Sequence, residues 1–120
     1  MEKYGYIVAM TNGDIVVVES DKEEFENIEF HNWIGDDAFL EFFQVNLPMP
    51  LYCVCDDNGH LKELYVNPIA TKMYGLKDDY IVGDVVIGEI DIYAHDIKKF
   101  EINDAYTIAD KLKQFMGWNT

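Results

Sequence analysis

The chain has 120 residues, 49% of them hydrophobic and 14% aromatic, enough to bury a core as one folded domain spanning 1–120. Its 23 Asp and Glu residues face nine lysines and no arginine, for a formal net charge of -14. That balance argues against direct contact with nucleic acid or an anionic membrane surface, since like charges repel and the guanidinium fork that grips phosphate is missing. No apolar run approaches the roughly 20 residues of a membrane-spanning helix. Met1 to Gly5 lacks the basic-then-apolar pattern of a secretory leader, so a cytoplasmic protein is expected.

Taken in chain order, Tyr4–Met10 and Ile15–Val18 are strand-forming runs either side of Asn12-Gly13, which predicts a hairpin with a type I′ turn. Ser20 and Glu23 have the spacing of a capping box, with a helix expected over about 21–30. In Phe39–Val45 the alternation places Phe39, Glu41, Phe43 and Val45 on one strand face and Leu40, Phe42 and Gln44 on the other. A helix also fits these phenylalanines, and the strand is favoured. After Leu47-Pro48-Met49-Pro50, Leu51–Cys55 reads as a strand, Asp56-Asp57-Asn58-Gly59 as a turn, and Leu61–Val66 as the hairpin partner.

Asn67 as N-cap and Pro68 at the first helical position open a short helix that Gly75 ends. Tyr80–Ile90 reads as a strand interrupted at Gly83-Asp84, and His95–Ile102 as an edge strand. A last helix, capped by Asn103 or Asp104, carries Ala105, Ile108, Ala109, Leu112, Phe115 and Met116 on one face and ends at Gly117. Hairpin strands with two or three packed helices make this an α+β domain, mostly antiparallel. Cys53 and Cys55 share a strand face at a separation that suits no relaxed disulfide, which suggests reduced thiols.

Together Leu51–Cys55, the Asp-Asp-Asn-Gly turn, Asn67-Pro68-Ile69-Ala70-Thr71 and Ile81-Val82-Gly83-Asp84-Val85-Val86-Ile87 resemble domain of unknown function family 3846. The likeness runs from Leu51 to Gly88. The Gly-Gly that the family suggests after the upstream helix stands here as Ile34-Gly35, and the tail beyond residue 90 has no counterpart. The resemblance implies an origin in a phage, plasmid or similar mobile element, and it brings no activity with it. Asn67, Pro68, Gly75 and Gly83 also have plain backbone roles, the alternative being a pocket around Asn67, Thr71 and Asp84.

Signals for catalysis or a cofactor are weak. Ser20 is the only serine and a helix cap explains it; a strand cysteine among Leu51, Tyr52 and Val54 reads as a small hydrophobe rather than a nucleophile. Cys53, Cys55 and His60 lack a fourth zinc ligand, and the Asp56–Gly59 turn lacks the calcium-loop pattern. Adjacent acids discriminate nothing in so acidic a chain, and no glycine-rich phosphate loop is present. No enzyme, cofactor or metal site is therefore expected.

One segment stands apart: residues 14–41 hold ten acids against Lys22 alone, together with the rings of Phe25, Phe30, Trp33 and Phe39 and, just beyond, Phe42 and Phe43. A solvated, solubilising face accounts for such charge. The sharper reading is an acidic platform of Glu23, Glu24, Glu26, Asp36 and Asp37, anchored by Trp33, that meets a host protein's basic surface by imitating nucleic acid. On this reading the chain is a non-catalytic inhibitor of a host defence protein. The alternative is sequestration of a small nucleotide signal by Asn67, Thr71, Tyr74, Tyr80, Asp84 and Trp118, within one chain or between copies of a homo-oligomer.

Overall fold

The two apolar runs flanking Asn12-Gly13 pair as an antiparallel hairpin, β1 (Tyr4–Ala9) with β2 (Ile15–Ser20). They are seen in a computed structural model that describes residues 2–46, 50–75 and 79–117. The turn is not type I′, which needs positive φ at both central residues. Only Gly13 is left-handed, at φ 97°, and its N–H donates to the Met10 carbonyl at 2.9 Å. Asn12 instead clasps Asp14, accepting its N–H at 2.9 Å, so the loop has three residues with glycine at the left-handed position.

The first helix, α1 (Asn27–Ile34), begins later than its sequence signal. Ser20 and Glu23 do not cap it, because Ser20 ends β2 and residues 21–26 bend without forming a helical turn; there the Glu23 carbonyl accepts the Lys99 N–H at 2.9 Å. Glu26 and Glu29 open the helix instead, the Glu29 carboxylate accepting the Glu26 N–H at 3.0 Å. Phe30 and Ile34 are its buried residues.

β3 (Leu40–Asn46) pairs along its whole length with β4 (Pro50–Asp56), and β4 pairs on its other side with β5 (Val85–Asp91). With both flanks of β4 taken, the expected strand Leu61–Val66 has no edge to join. Residues 57–63 fold into turns, and in this segment only Val66 bridges, to Val82. Gly83, at φ 79°, then breaks the predicted Tyr80–Ile90 strand, and continuous pairing begins at Val85.

Helix α2 (Pro68–Tyr74) is built as its sequence demands: the Asn67 side chain accepts the N–H groups of Ile69 and Ala70, and Gly75 closes it. After β5 the chain forms β6 (Asp96–Lys98) and β7 (Phe100–Glu101), a broken edge rather than one strand over 95–102. β6 pairs with the end of β5 and β7 with the start of β1, so Lys99 lies where the chain passes from one neighbour to the other. Helix α3 (Ile102–Phe115) starts at once after Glu101, which leaves Asn103 and Asp104 inside its first turn instead of at its cap.

The result is an α+β fold with one seven-stranded antiparallel sheet, ordered β2-β1-β5-β4-β3, with β6 and β7 against β5 and β1. Strand alternation splits the core across the two faces. Ile7, Ala9, Leu51, Cys53, Val85 and Ile87 pack under α2 and α3, while Tyr6, Val8, Val54 and Val86 pack under α1. Each fully buried Val, Leu or Ile among them contributes about 1.5–3 kcal/mol.

Candidate functional site

Two grooves meet at Glu23. One, of about 470 Å³, lies among Glu2, Lys3, Tyr4, Glu101 and Ile102; the other, of about 250 Å³, lies between Glu23–Phe25 and the β5–β6 hairpin, with Asp91, Asp96 and Lys98 in its walls. Six carboxylates thus stand against two lysines, and Lys98 is already paired with Glu89 at 3.2 Å. At the hairpin tip Ile92 is 68% and Tyr93 92% exposed. The tip is ordered by Asp91, whose carboxylate accepts the N–H groups of Tyr93 and Ala94 at 3.1 and 3.2 Å.

A buried lysine holds this region together. The Lys99 side chain is 1% exposed; its ammonium donates to Ser20 Oγ at 2.8 Å and to the Glu29 carboxylate at 2.9 Å, and lies over the Tyr6 and Phe25 rings. A buried cation needs such partners, because desolvation without them costs several kcal/mol. The same residue's N–H fixes the Glu23 carbonyl, so Lys99 clamps residues 20–29 onto β6 and β7 and presents Glu23 and Glu24 to solvent. Ser20 beside Lys99 is no nucleophile–base pair: the ammonium donates to the hydroxyl and has no lone pair to take its proton.

A separate cleft of about 220 Å³ opens beyond the end of β4, walled by Tyr74 of α2, by Asp79–Val82 and by His60. Glu41 and Asp57 lie on its rim. Burial first, then a hydrogen bond that only the protonated carboxyl can give to Asp57, and the Asp57 charge, hold the Glu41 carboxyl above its ordinary 4.5. Asp56 is spoken for: its carboxylate accepts from Lys62 at 2.6 Å and from the N–H groups of Asn58 and Phe39. The His60 ring lies 4.9 Å from that of Tyr80, and its Nε2 donates to the Tyr80 carbonyl at 3.1 Å.

The structure separates the residues that the sequence grouped. Glu23 and Glu24 line the acid grooves, Glu26 pairs with Lys22 at 3.0 Å, and Asp36 and Asp37 follow the far end of α1, where Asp37 pairs with Lys62 at 3.1 Å. Trp33 is half-buried and its indole N–H donates to the Tyr6 hydroxyl at 3.0 Å, so it is packed inward rather than offered as an anchor. Of the expected ligand pocket, Tyr74 and Tyr80 line the 220 Å³ cleft. Asn67 is fully buried and donates to the Ala9 and Gly83 carbonyls; Thr71 is bonded to Ile81, and Asp84 accepts the Thr11 N–H. These three serve the backbone. Trp118 lies outside the described residues.

Sequence reasoning missed Glu2, Asp91, Ile92, Tyr93, Asp96 and Glu101. Their one visible signal is the pair of apolar residues between Asp91 and Asp96, in a segment whose ends are acidic. Both cysteines are buried and free, and burial pushes their thiols up, Cys55 to about 12, so neither supplies a thiolate near neutral pH. Among the described residues no helix is long and apolar enough to cross a membrane, and no group of His, Cys, Asp or Glu has a metal-binding arrangement. No family model, no curated protein and no solved structure matches the chain.

Proposed function

We propose that this chain is a non-catalytic binding protein whose acid grooves dock on a basic surface of a partner protein, in the place of a phosphate backbone. The observation that carries this reading is the pairing of six carboxylates around two grooves that share Glu23 with the exposed Ile92–Tyr93 tip. Carboxylates facing a basic patch accelerate and orient encounter, while an exposed tyrosine supplies the apolar contact that resists dissociation. The acidic surface is therefore centred on Glu23 and Glu24, with Asp36 and Asp37 apart from it. A phage or mobile-element setting, with a nucleic-acid-binding host defence factor as the partner, rests on the likeness of Leu51–Gly88 and on the charge.

The test uses the purified chain on a resin exposed to lysate of a bacterial host, followed by elution with duplex DNA. A partner of this kind elutes with DNA, and resin carrying Glu23→Gln, Glu24→Gln, Asp91→Asn and Asp96→Asn together fails to retain it. Resin carrying Asp104→Asn and Asp110→Asn, acids of α3, retains it as the unaltered chain does. Equal retention by both variants refutes the assignment of the surface. The alternative, capture of a nucleotide signal, is not favoured by the cleft of Tyr74 and Tyr80, because carboxylates on its rim repel phosphate.

A further inference from the structure

We propose that the 220 Å³ cleft beyond β4 is a binding site for a small organic ammonium ion, a monoamine carrying an aromatic or alkyl body. The inference is independent of the protein-docking surface.

Three properties of the cleft converge on that chemistry. Among the described residues its acids outnumber its cations: Glu41, Asp57 and Asp79 have no described lysine partner, since Lys62 is committed to Asp56 and Asp37. Glu41 and Asp57 both line the cleft and repel each other when ionised, an arrangement that a cation between or beside them relieves. Its walls include the Tyr74 and Tyr80 rings, each a little under half exposed, and a cation over an aromatic face gains about 0.5–2 kcal/mol. Its lining also includes Cys55, the register partner of Glu41 on β4; the residue is only 4% exposed, and its thiol makes no hydrogen bond among the described residues and has lone pairs for an N–H donor.

The alternatives fit less well. A nucleotide or other anion meets the carboxylates. A bare metal ion lacks a ligand set, because these side chains do not converge in a metal-binding arrangement among the described residues. The volume lies below the roughly 300–1,000 Å³ of drug-sized pockets, which limits the occupant to a compact metabolite.

The experiment titrates isotope-labelled protein with benzylammonium, reading backbone amide shifts, with benzyl alcohol as the neutral isostere and adenosine monophosphate as the anionic probe. Benzylammonium should move the amides of Cys55, Asp57, Tyr80 and Val82 and bind about tenfold more tightly than benzyl alcohol, with adenosine monophosphate inert. Glu41→Gln and Tyr80→Ala, each checked by its amide spectrum to keep the fold, should each weaken binding about five- to tenfold. Equal affinity for the alcohol, shifts confined to another part of the molecule, or nucleotide binding at these amides overturns the proposal on the unaltered protein alone. N-acetyl-lysine methylamide separates a free amine from a lysine side chain presented by a protein. Should it bind more tightly than benzylammonium, the free-amine assignment falls.

Discussion

The acid grooves around Glu23 and the cleft beside Glu41 carry the same excess of carboxylate, yet their surroundings differ. Around Glu23 the acids are spread along an open surface beside a protruding Ile92–Tyr93 tip; at Glu41 they rim a hollow lined with rings and a buried thiol. A spread of charge beside an apolar knob suits a large, complementary face. Charge gathered in a small aromatic hollow suits one compact cation. Net charge alone therefore says little about the ligand; curvature and the neighbouring side chains decide it. Each region also has its own buried polar support: Lys99 behind the grooves, and Asn67 behind the cleft, where it ties α2 to Ala9 and to the Gly83 carbonyl.

Removing those supports gives the largest effects and sharpens the contrast. Lys99→Ala leaves the Glu29 carboxylate without its partner and should cost about 3–5 kcal/mol in urea denaturation. Lys99→Met with Glu29→Gln, which removes both charges and keeps the acceptor for the Glu26 N–H, should recover most of that loss. In native-state hydrogen exchange the Lys99→Ala protein should lose protection first along residues 20–29 and β6. Asn67→Ala strips a helix cap and orphans two buried carbonyls, a cost of about 3 kcal/mol, with protection lost first in α2 and at Gly83. If both variants open the same segments first, the two regions are not separately supported.

A smaller, pH-dependent effect belongs to the cleft side. Burial pushes the Asp56 carboxyl upward, but the Lys62 ammonium and the Asn58 and Phe39 N–H groups outweigh it and hold the group below its ordinary 3.8. Such a group lends stability that is complete above 3.8 and is lost as pH falls through the lower folded-state value. Glu41, raised above 4.5, acts in the opposite sense and weakens the fold as pH rises past that value. Melting temperatures of Lys62→Met should therefore fall furthest below the unaltered protein near neutral pH, with the gap closing below about pH 4. Glu41→Gln should melt slightly higher than the unaltered protein at pH 7. A gap that is constant from pH 3 to 7 contradicts the role given to Lys62. Smallest of all, Tyr93→Ser should leave stability within about 0.5 kcal/mol while weakening partner binding.

Legibility from the sequence followed the range of the interactions. The Asn67-Pro68 helix start and the Asn12-Gly13 hairpin are written in adjacent residues, and the alternation of Phe39–Val45 assigned the faces of β3 correctly. The expected Leu61–Val66 strand is absent because β4 is flanked by β3, its neighbour in the chain, on one side and on the other by β5, which is remote from it. Ser20 and Glu23 have capping-box spacing, but the contacts that decide their fate come from Lys99, 79 residues on from Ser20. For the same reason the acid platform looked continuous in sequence and is divided in space: α1 separates Glu23 and Glu24 from Asp36 and Asp37, while Asp91 and Asp96 join from β5 and β6.

The most direct test places both regions in one sample. Isotope-labelled protein is titrated in turn with a lysine- and arginine-rich peptide and with benzylammonium, and the shifted amides are mapped. The peptide should shift Glu23, Glu24, Tyr93 and Asp96, with a response that fades as salt rises; the amine should shift Cys55, Asp57, Tyr80 and Val82. A single set of residues answering both ligands would contradict the division of this acidic surface into a docking face and a cation cleft.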